Sequence, residues 1–347
     1  MAMNRRDFLK IMGGTTAAIA FPTVMIQGCK KALEKVKART NVIWIQAQSC
    51  SGCSVSLLNK VNPDIATVIT EYISLNYHQT LMGGTGDAAT QVLKHARDKK
   101  RKDFVLIVEG SIPMDDEYFC TIGVEDGIKN KKHISAQKWV EELGKNAAHV
   151  ISVGTCATYG GIPGAIPNVP NGKNPTGAVG VAELFKKSKD STLRNKPVVN
   201  IPGCPPHPDW MVGSLLFVLL NGKYPKLDEF GRPTLYFGKT VHETCERLND
   251  YKQGVYAKEW GDKGCLYQLG CLGMDSGCDI PVRKWVGVNS CTDCGAGCIG
   301  CTEPVFPDYG KRGIFQHLNA SNDELQLLDK TTQETISKLK DGGVING

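Results

Sequence analysis

Continuous apolar runs alternate with amphipathic stretches over the first two-thirds of the chain. The runs are rich in Val, Ile and Leu, as in parallel strands that are buried on both faces. They lie at 41–48, 103–110, 149–157 and 197–204. Helical patterns separate them at 87–102, 134–147 and 178–189, and another follows at 209–220. This alternation predicts an α/β domain with a parallel sheet over residues 41–225.

The pattern changes after Pro225. Apolar runs become short over roughly 226–310, and Gly, Cys and Asp dominate this stretch. We predict a second, small and irregular domain there, held together in part by bound metal clusters. The polar tail at 311–347 contains no apolar run of about 20 residues, the length needed to cross a bilayer.

The chemistry of the chain is concentrated in its 14 cysteines, which cluster at short spacings. Such spacing favours metal ligation over disulfides or scattered packing roles. Four of the cysteines follow successive predicted strands: Cys50, Cys53, Cys156 and Cys204. Ligands of an open parallel sheet bind outside the carboxyl ends of its strands, so these four should converge. We predict a [4Fe–4S] cluster here, with structural zinc as the alternative.

Three further cysteines lie near a histidine in the second region. His242 precedes Cys245 by three residues, and Cys265 and Cys271 follow. His242 is a candidate fourth ligand, although a lone histidine would more often be an ordinary surface residue. Both an iron–sulfur cluster and zinc accept three cysteines and one histidine, so local spacing leaves the metal open.

Five thiols compete for the third site, although a cubane cluster takes four ligands. Cys291, Cys294, Cys298 and Cys301 could form a self-contained loop. Alternatively, Cys278 is a ligand and one of the loop cysteines is spare. Local spacing does not choose between these two arrangements.

The N-terminus predicts export. Residues 4–10, NRRDFLK, precede a short apolar run, as in a twin-arginine signal over residues 1–28. Cleavage is expected either after Ala20 or before Cys29, whose lipidation would attach the protein to a membrane surface. The net charge of +6 includes three basic side chains and Asp7 of this signal. The mature charge of about +4 does not indicate nucleic-acid binding.

Seven motifs resemble, in order, those of the small subunit of nickel-iron hydrogenases. They are CSGCSVSLL (50–58), VEGSIP (108–113), GTCATYGGI (154–162), PGCPPHPDW (202–210), HETC (242–245), CLYQLGC (265–271) and CIGCTEP (298–304). The resemblance covers residues 41–310. It implies a flavodoxin-like first domain without flavin, and a heterodimer whose nickel-iron centre belongs to a separate large subunit. This chain would hold no catalytic residue.

The resemblance also implies three clusters in a row. The proximal [4Fe–4S] cluster would use Cys50, Cys53, Cys156 and Cys204, and the distal one His242, Cys245, Cys265 and Cys271. Electrons would pass between hydrogen chemistry in the large subunit and a periplasmic c-type cytochrome or a membrane cytochrome. Glu109 would either orient the subunit interface or be a solvated carboxylate at the end of a strand.

The medial site departs from most relatives. They carry proline seven residues before the first cysteine of the final pair, and a [3Fe–4S] cluster; here that position is Cys291. The expected cluster is therefore [4Fe–4S] on Cys278, Cys291, Cys298 and Cys301, as in the nickel-iron-selenium branch. Cys294 would be surplus, or would replace Cys278.

Three positions outside the expected ligand sets carry further expectations. Cys120 is expected to be a packed core thiol. Oxygen-tolerant relatives carry two extra cysteines around the proximal cluster, where this chain has Gly52 and Gly161. The resemblance therefore implies an ordinary proximal cluster.

Two other functions compete with the hydrogenase subunit. A stand-alone iron–sulfur electron carrier would explain the cysteines, but it would not need a site at a sheet edge open to a partner. A dihydrogen sensor would use the same clusters. Sensor subunits usually lack an export signal, so the N-terminus disfavours that function.

Overall fold

A computed structural model describes residues 39–98, 102–125, 132–165 and 174–307. The predicted signal at 1–28, Cys29 and the polar tail at 311–347 lie outside these ranges. Within the described part of the chain, no helix is both long enough and apolar enough to cross a membrane.

Five parallel strands form the central sheet. They are β1 Thr40–Gln46, β2 Ile73–His78, β3 Phe104–Glu109, β6 His149–Val153 and β7 Val198–Ile201. Their order is β2-β1-β3-β6-β7, so the five strands of this sheet run 2-1-3-4-5 in chain order. This is the flavodoxin-like order, and it confirms the predicted fold class. A separate antiparallel pair joins β4 Thr121–Val124 to β5 His133–Ser135.

Helices connect these strands and continue into the second region. In the first region they are α1 Gly52–Leu58, α2 Ile65–Thr67, α3 Gly86–Asp98, α4 Ala136–Asn146, α5 Gly154–Tyr159, α6 Gly161–Gly164, α7 Val181–Lys187, α8 Ser191–Arg194 and α9 Pro208–Asn221. In the second they are α10 Thr234–Phe237, α11 Val241–Thr244, α12 Leu248–Lys252 and α13 Ile280–Arg283. Val68–Tyr72 forms a π-helical turn, and Glu117–Phe119 and Leu266–Leu269 form 3-10 turns.

Alternating side chains of the sheet build one core on each face. Leu106 of β3 belongs to a core with Trp139 of α4 and Phe185 of α7. Its neighbour Ile107 belongs to the opposite core, with Trp210 of α9. This follows from the two-residue period of a strand, and it covers both faces of the parallel sheet.

The second core continues into the irregular region. Tyr236, Phe237 and Ile280 belong to the same buried cluster as Trp210. The Trp210 indole also donates a hydrogen bond of 2.8 Å to Asp279 Oδ1. Helix α9 therefore joins the sheet to the second region through one continuous apolar contact and through polar contacts, which include an ion pair of 3.2 Å between Asp209 and Arg283.

Two local predictions need correction. Strand β2 was not predicted, because ISLNYH mixes polar and apolar positions and pairs only with β1 at the sheet edge. The predicted strand 149–157 ends at Val153, because Gly154 at φ +84° turns the chain into α5. Cys156 therefore lies on a short helix rather than on a strand.

Candidate metal centres

Four cysteines from three separate segments meet at the carboxyl edge of the sheet. Cys53 lies in the first turn of α1, after β1, while Cys156 lies on α5, and Cys204 follows β7. Burial raises the pKa of the Cys53 thiol, and Glu109, Cys156, Cys50 and Cys204 each raise it further. The structure thus brings together the four predicted proximal residues, as the parallel topology requires.

Glycines surround these sulfur atoms closely. A Cβ atom at Gly154 would overlap Cys53 Sγ, and one at Gly161 would lie 2.8 Å from Cys156 Sγ. Both glycines have positive φ, which other residues rarely adopt. A Cβ at Gly52 would lie 3.2 Å from the third sulfur, that of Cys50. The space beside the sulfurs is therefore kept free of side chains, and it fits a bound cluster.

Glu109 is a buried hydrogen-bond acceptor beneath the Cys50–Cys53 loop. It is 1% exposed. Its Oε1 accepts from the backbone N–H groups of Cys53 (3.1 Å) and Ser54 (3.3 Å). Its Oε2 accepts from the Trp44 indole (3.0 Å), the Gln46 amide (3.3 Å) and the Ser54 hydroxyl (2.5 Å). The interpretation as a solvated carboxylate is therefore wrong, and Glu109 fixes the start of α1.

The four predicted distal residues line a single cavity. His242, Cys245, Cys265 and Cys271 face it, together with apolar parts of Tyr267 and other neighbours. Burial lowers the pKa of His242 and so favours the neutral imidazole, which is the form that binds metals. Burial also raises the pKa of Cys271 to about 11.

Short elements position these distal side chains. Thr240 caps the four-residue helix α11, and its hydroxyl and the Glu243 carboxylate form a reciprocal capping box. His242 lies on this helix, 4.6 Å from the Tyr251 ring between centroids, and Cys245 follows the last turn. The helix therefore presents two candidate ligands towards the same cavity.

The medial cysteines separate into a buried group and an outer pair. Burial raises the pKa of Cys278, and Cys301 and Cys298 raise it further. Burial also raises the pKa of Cys301 to about 12, and Cys291 adds to this shift. Cys294 is exposed and lies beside Cys291, where its thiol faces the backbone carbonyl at 3.2 Å. The structure thus groups Cys278, Cys298 and Cys301, and places Cys291, which also lies near Cys301, in an exposed outer pair with Cys294.

Contacts between the three sets arrange them in a row. The Cys204 backbone N–H faces the thiol of Cys301, so the proximal and medial sets adjoin. The Cys298 backbone N–H donates to Cys271 Sγ at 3.2 Å, so the medial and distal sets adjoin as well. Within the described ranges, no three His, Cys, Asp or Glu side chains are grouped closely enough for one metal ion.

The donor set fits iron–sulfur clusters. Soft thiolates are the ligands that such clusters use. Backbone N–H groups also point at sulfur atoms, from Arg247 to Cys245 at 3.4 Å and from Gly300 to Cys298 at 3.4 Å. Such bonds stabilise negative charge on a metal-bound sulfur.

Two residues near the medial site were not predicted. Arg232 and Glu303 form a buried ion pair at 2.7 Å directly behind Cys301. Glu303 follows Cys301 by two residues in the CIGCTEP motif, which was a usable signal. Arg232 carries no local signal, because its partner lies 71 residues away.

Cys120 is separate from all three sets. It is half-buried and packs against the first core of the sheet domain. Burial raises the pKa of its thiol. This is the environment expected of a packed core thiol.

Two protein-family models match the chain. The family described as the 20 Kd subunit of NADH ubiquinone oxidoreductase matches residues 50–218. The family described as the C-terminal part of NiFe/NiFeSe hydrogenase small subunits matches residues 237–312.

Curated relatives extend the match over nearly the whole chain. The periplasmic [NiFeSe] hydrogenase small subunit of Desulfomicrobium baculatum is 38% identical over 91% of this chain and 99% of its own length. The quinone-reactive Ni/Fe-hydrogenase small chain of Wolinella succinogenes is 36% identical, covering 88% and 82%.

Solved structures agree with this similarity. The recombinant [NiFeSe] hydrogenase of Desulfovibrio vulgaris Hildenborough matches with a TM-score of 0.71 and 42% identity. The match covers 80% of this chain and 98% of that one. The fold and the order of the motifs therefore agree with the resemblance recognised in the sequence.

Proposed function

This chain belongs to the family of nickel-iron hydrogenase small subunits, and we propose that it conducts electrons between a large subunit and an external acceptor through three iron–sulfur clusters. The observation that carries the proposal is the row of three cysteine sets, joined by contacts at Cys204–Cys301 and Cys298–Cys271. A single cluster would not need such a row. Three adjoining sites offer a route through the whole subunit.

Each cluster is assigned four protein ligands. The proximal ligands are Cys50, Cys53, Cys156 and Cys204; the medial ligands are Cys278, Cys291, Cys298 and Cys301; the distal ligands are His242, Cys245, Cys265 and Cys271. When bound, the clusters would supply single-electron oxidation and reduction. The protein holds the thiolates apart, excludes side chains with glycines and directs N–H groups at the sulfurs.

The partner is a hydrogenase large subunit, which would carry the nickel-iron centre. An apolar surface beside the proximal set supports this pairing. Val55 lies on α1 with Cys53, and Ile162 lies on α6, directly after the helix that carries Cys156; they are 58% and 54% exposed. Exposed apolar groups around a buried functional edge are typical of an interaction surface. Hydrogen chemistry would then take place in the partner, and this chain contributes no catalytic residue.

The proposal also covers the cellular location of the protein and the acceptor of its electrons. We assign the protein to the periplasm by the twin-arginine route, with attachment to a membrane through Cys29 as one form of the mature N-terminus. A c-type cytochrome or a membrane cytochrome would receive electrons at the distal site. Mass spectrometry of the mature protein distinguishes a lipidated Cys29 from cleavage after Ala20.

Metal analysis of the purified complex tests the function directly. We expect about twelve iron atoms from the three cubane clusters of the small subunit, together with the nickel and iron of the co-purifying large subunit. The selenium content shows whether that partner carries selenocysteine. A stable chain that purifies alone and without nickel would identify a stand-alone carrier instead.

Substitution at the medial site tests the ligand assignment. Replacing Cys291 with Pro removes the fourth medial thiolate, so we expect a [3Fe–4S] signal in the electron paramagnetic resonance (EPR) spectrum of the oxidised complex. Cys294→Ser is the matched control and should leave a [4Fe–4S] cluster. If only the Cys294 variant shows the [3Fe–4S] signal, Cys294 is the ligand and the assignment is wrong.

A further inference from the structure

Thr155 bridges the proximal and medial sites. It lies next to Cys156 on α5 and is 1% exposed. Its hydroxyl donates to the backbone carbonyl of Cys301 and accepts from the Gly203 N–H at 2.9 Å. Its own N–H donates to the Gly203 carbonyl at 3.1 Å. One hydroxyl therefore connects the loop before Cys204 to the loop that carries Cys301.

The medial and distal sites are joined differently. The Leu272 N–H donates to the Cys298 carbonyl at 2.8 Å, and the Cys298 N–H donates to Cys271 Sγ at 3.2 Å. Both bonds come from the main chain, so no side-chain substitution removes their donors. Side chains join the medial and distal segments as well, because Ser290 and Thr292 both donate to Glu246. At the proximal–medial junction one hydroxyl bonds to both loops, so a single substitution can test the spacing.

Burial makes the Thr155 hydroxyl costly to remove. The Cys301 carbonyl and the Gly203 N–H would each lose its bond to a hydroxyl whose residue is 1% exposed. An unsatisfied buried polar group is strongly unfavourable, so the two loops would move apart or rearrange to find other partners. Such a movement changes the distance between the groups that the loops hold.

We propose that the Thr155 hydroxyl sets the separation between the proximal and medial clusters, and thereby the rate of electron transfer between them. This inference rests on the proposed function, because it requires clusters at both sites. Thr155 is a positioning residue: it contacts the backbones of the two loops. Electron tunnelling weakens steeply with distance, so a small increase in separation slows transfer even when each cluster is intact.

Thr155→Val tests the inference, since valine keeps the shape of threonine and removes its hydroxyl. The complex with the large subunit is purified, its iron counted, and the EPR spectrum of the fully reduced protein recorded. Two nearby reduced clusters split each other's signals. We expect the variant to retain its iron but to show a reduced proximal–medial splitting, and slower transfer from the proximal to the medial cluster after rapid reduction.

Thr158→Val is the matched control. Thr158 is a buried threonine on the same helix, and its hydroxyl donates to the Gly154 and Thr155 carbonyls of that helix, at 3.1 Å each. This variant should keep the wild-type splitting. Wild-type splitting in Thr155→Val with full iron would overturn the inference.

Thr155→Ser covers the case in which the valine variant does not assemble. Serine keeps the hydroxyl, so we expect wild-type splitting and wild-type iron content. A reduced splitting in the serine variant would show that the methyl group sets the spacing, and the inference would be wrong. Absence of interacting clusters from the wild-type complex would instead contradict the proposed function, independently of Thr155.

Discussion

The two regions of the molecule are stabilised by different means. The sheet region buries aliphatic and aromatic side chains on both faces of five strands, and its helices reach the 14 residues of α9. In the described part of the second region, the longest helix is the five-residue α12. Its separate apolar clusters are small, such as the one formed by Leu272, Val305 and Phe306. A hydrophobic core can account for the first region but not for the second.

In the second region, candidate metal ligands and a buried ion pair take the place of a large apolar core. The candidate medial and distal ligands lie between its short helices, and a buried arginine–glutamate pair lies behind the medial loop. Metal clusters stabilise such core-poor segments because their binding energy contributes directly to folding. This difference predicts that removal of metal, or loss of an ion pair, will destabilise the second region much more than the sheet region.

Removal of iron should give the largest difference in amide protection between the two regions. Anaerobic chelation of the purified protein should abolish the protection of amide hydrogens over 237–307, because the clusters hold that region together. Strands β3 and β6 should keep their protection, because aliphatic and aromatic side chains pack against both of their faces. Hydrogen exchange measured by mass spectrometry gives both results, and reconstitution with iron and sulfide should restore the second region. Equal loss in both regions would contradict the comparison.

Arg232→Met should give the next largest effect. Arg232 donates to Glu303 and to Asp228, each at 2.7 Å, and to the Thr302 carbonyl at 3.2 Å. The substitution leaves the Glu303 carboxylate buried without its cation, which costs about 3–5 kcal/mol. We expect this loss in the free energy of opening of amides around 298–305, measured by hydrogen exchange. Adding Glu303→Gln should recover part of it.

Arg97→Met is the control from the sheet region. Arg97 pairs with Glu125 at 2.9 Å and with Glu142 at 3.4 Å, but all three side chains reach solvent. Pairs of this kind contribute about 0–1 kcal/mol. A loss as large as that of the Arg232 variant would show that burial is not what distinguishes the two networks.

The sequence predicted the sheet region well because each buried strand and each helix carries its own periodic pattern. It missed β2, whose half-exposed edge position gives no continuous apolar run. It also extended a strand through Gly154, because an apolar pattern does not show where the backbone turns. The deviations are local, and they leave the strand order of the remaining sheet unchanged.

The candidate sites were predictable only in part, because a sequence pattern shows short spacings but not contacts between distant residues. Short spacings such as Cys50 to Cys53 predict paired ligands, because two residues separate them in any fold. The contact between Arg232 and Glu303, or between Thr155 and Cys301, spans 71 and 146 residues. These contacts depend on how the two regions pack, and no local pattern encodes that packing.

The smallest expected effects come from the helix caps, of which one in each region can be compared. Ser135 accepts from the Lys138 N–H at 3.2 Å at the start of the 11-residue α4, and Thr240 accepts from the Glu243 N–H at 3.2 Å at the start of α11. Replacing either cap with Ala should cost about 1 kcal/mol of local stability. Helix α4 has a large buried face that maintains it after the loss, whereas α11 has one turn and carries His242.

We therefore expect equal losses of amide protection in the two capping variants but different effects on the clusters. Thr240→Ala should shift the EPR signal and the midpoint potential of the distal cluster, because reorientation of His242 changes its ligation. Ser135→Ala should leave both unchanged. A shift in the Ser135 variant would mean that the sheet region controls the distal site, so the two regions would not be independently stabilised.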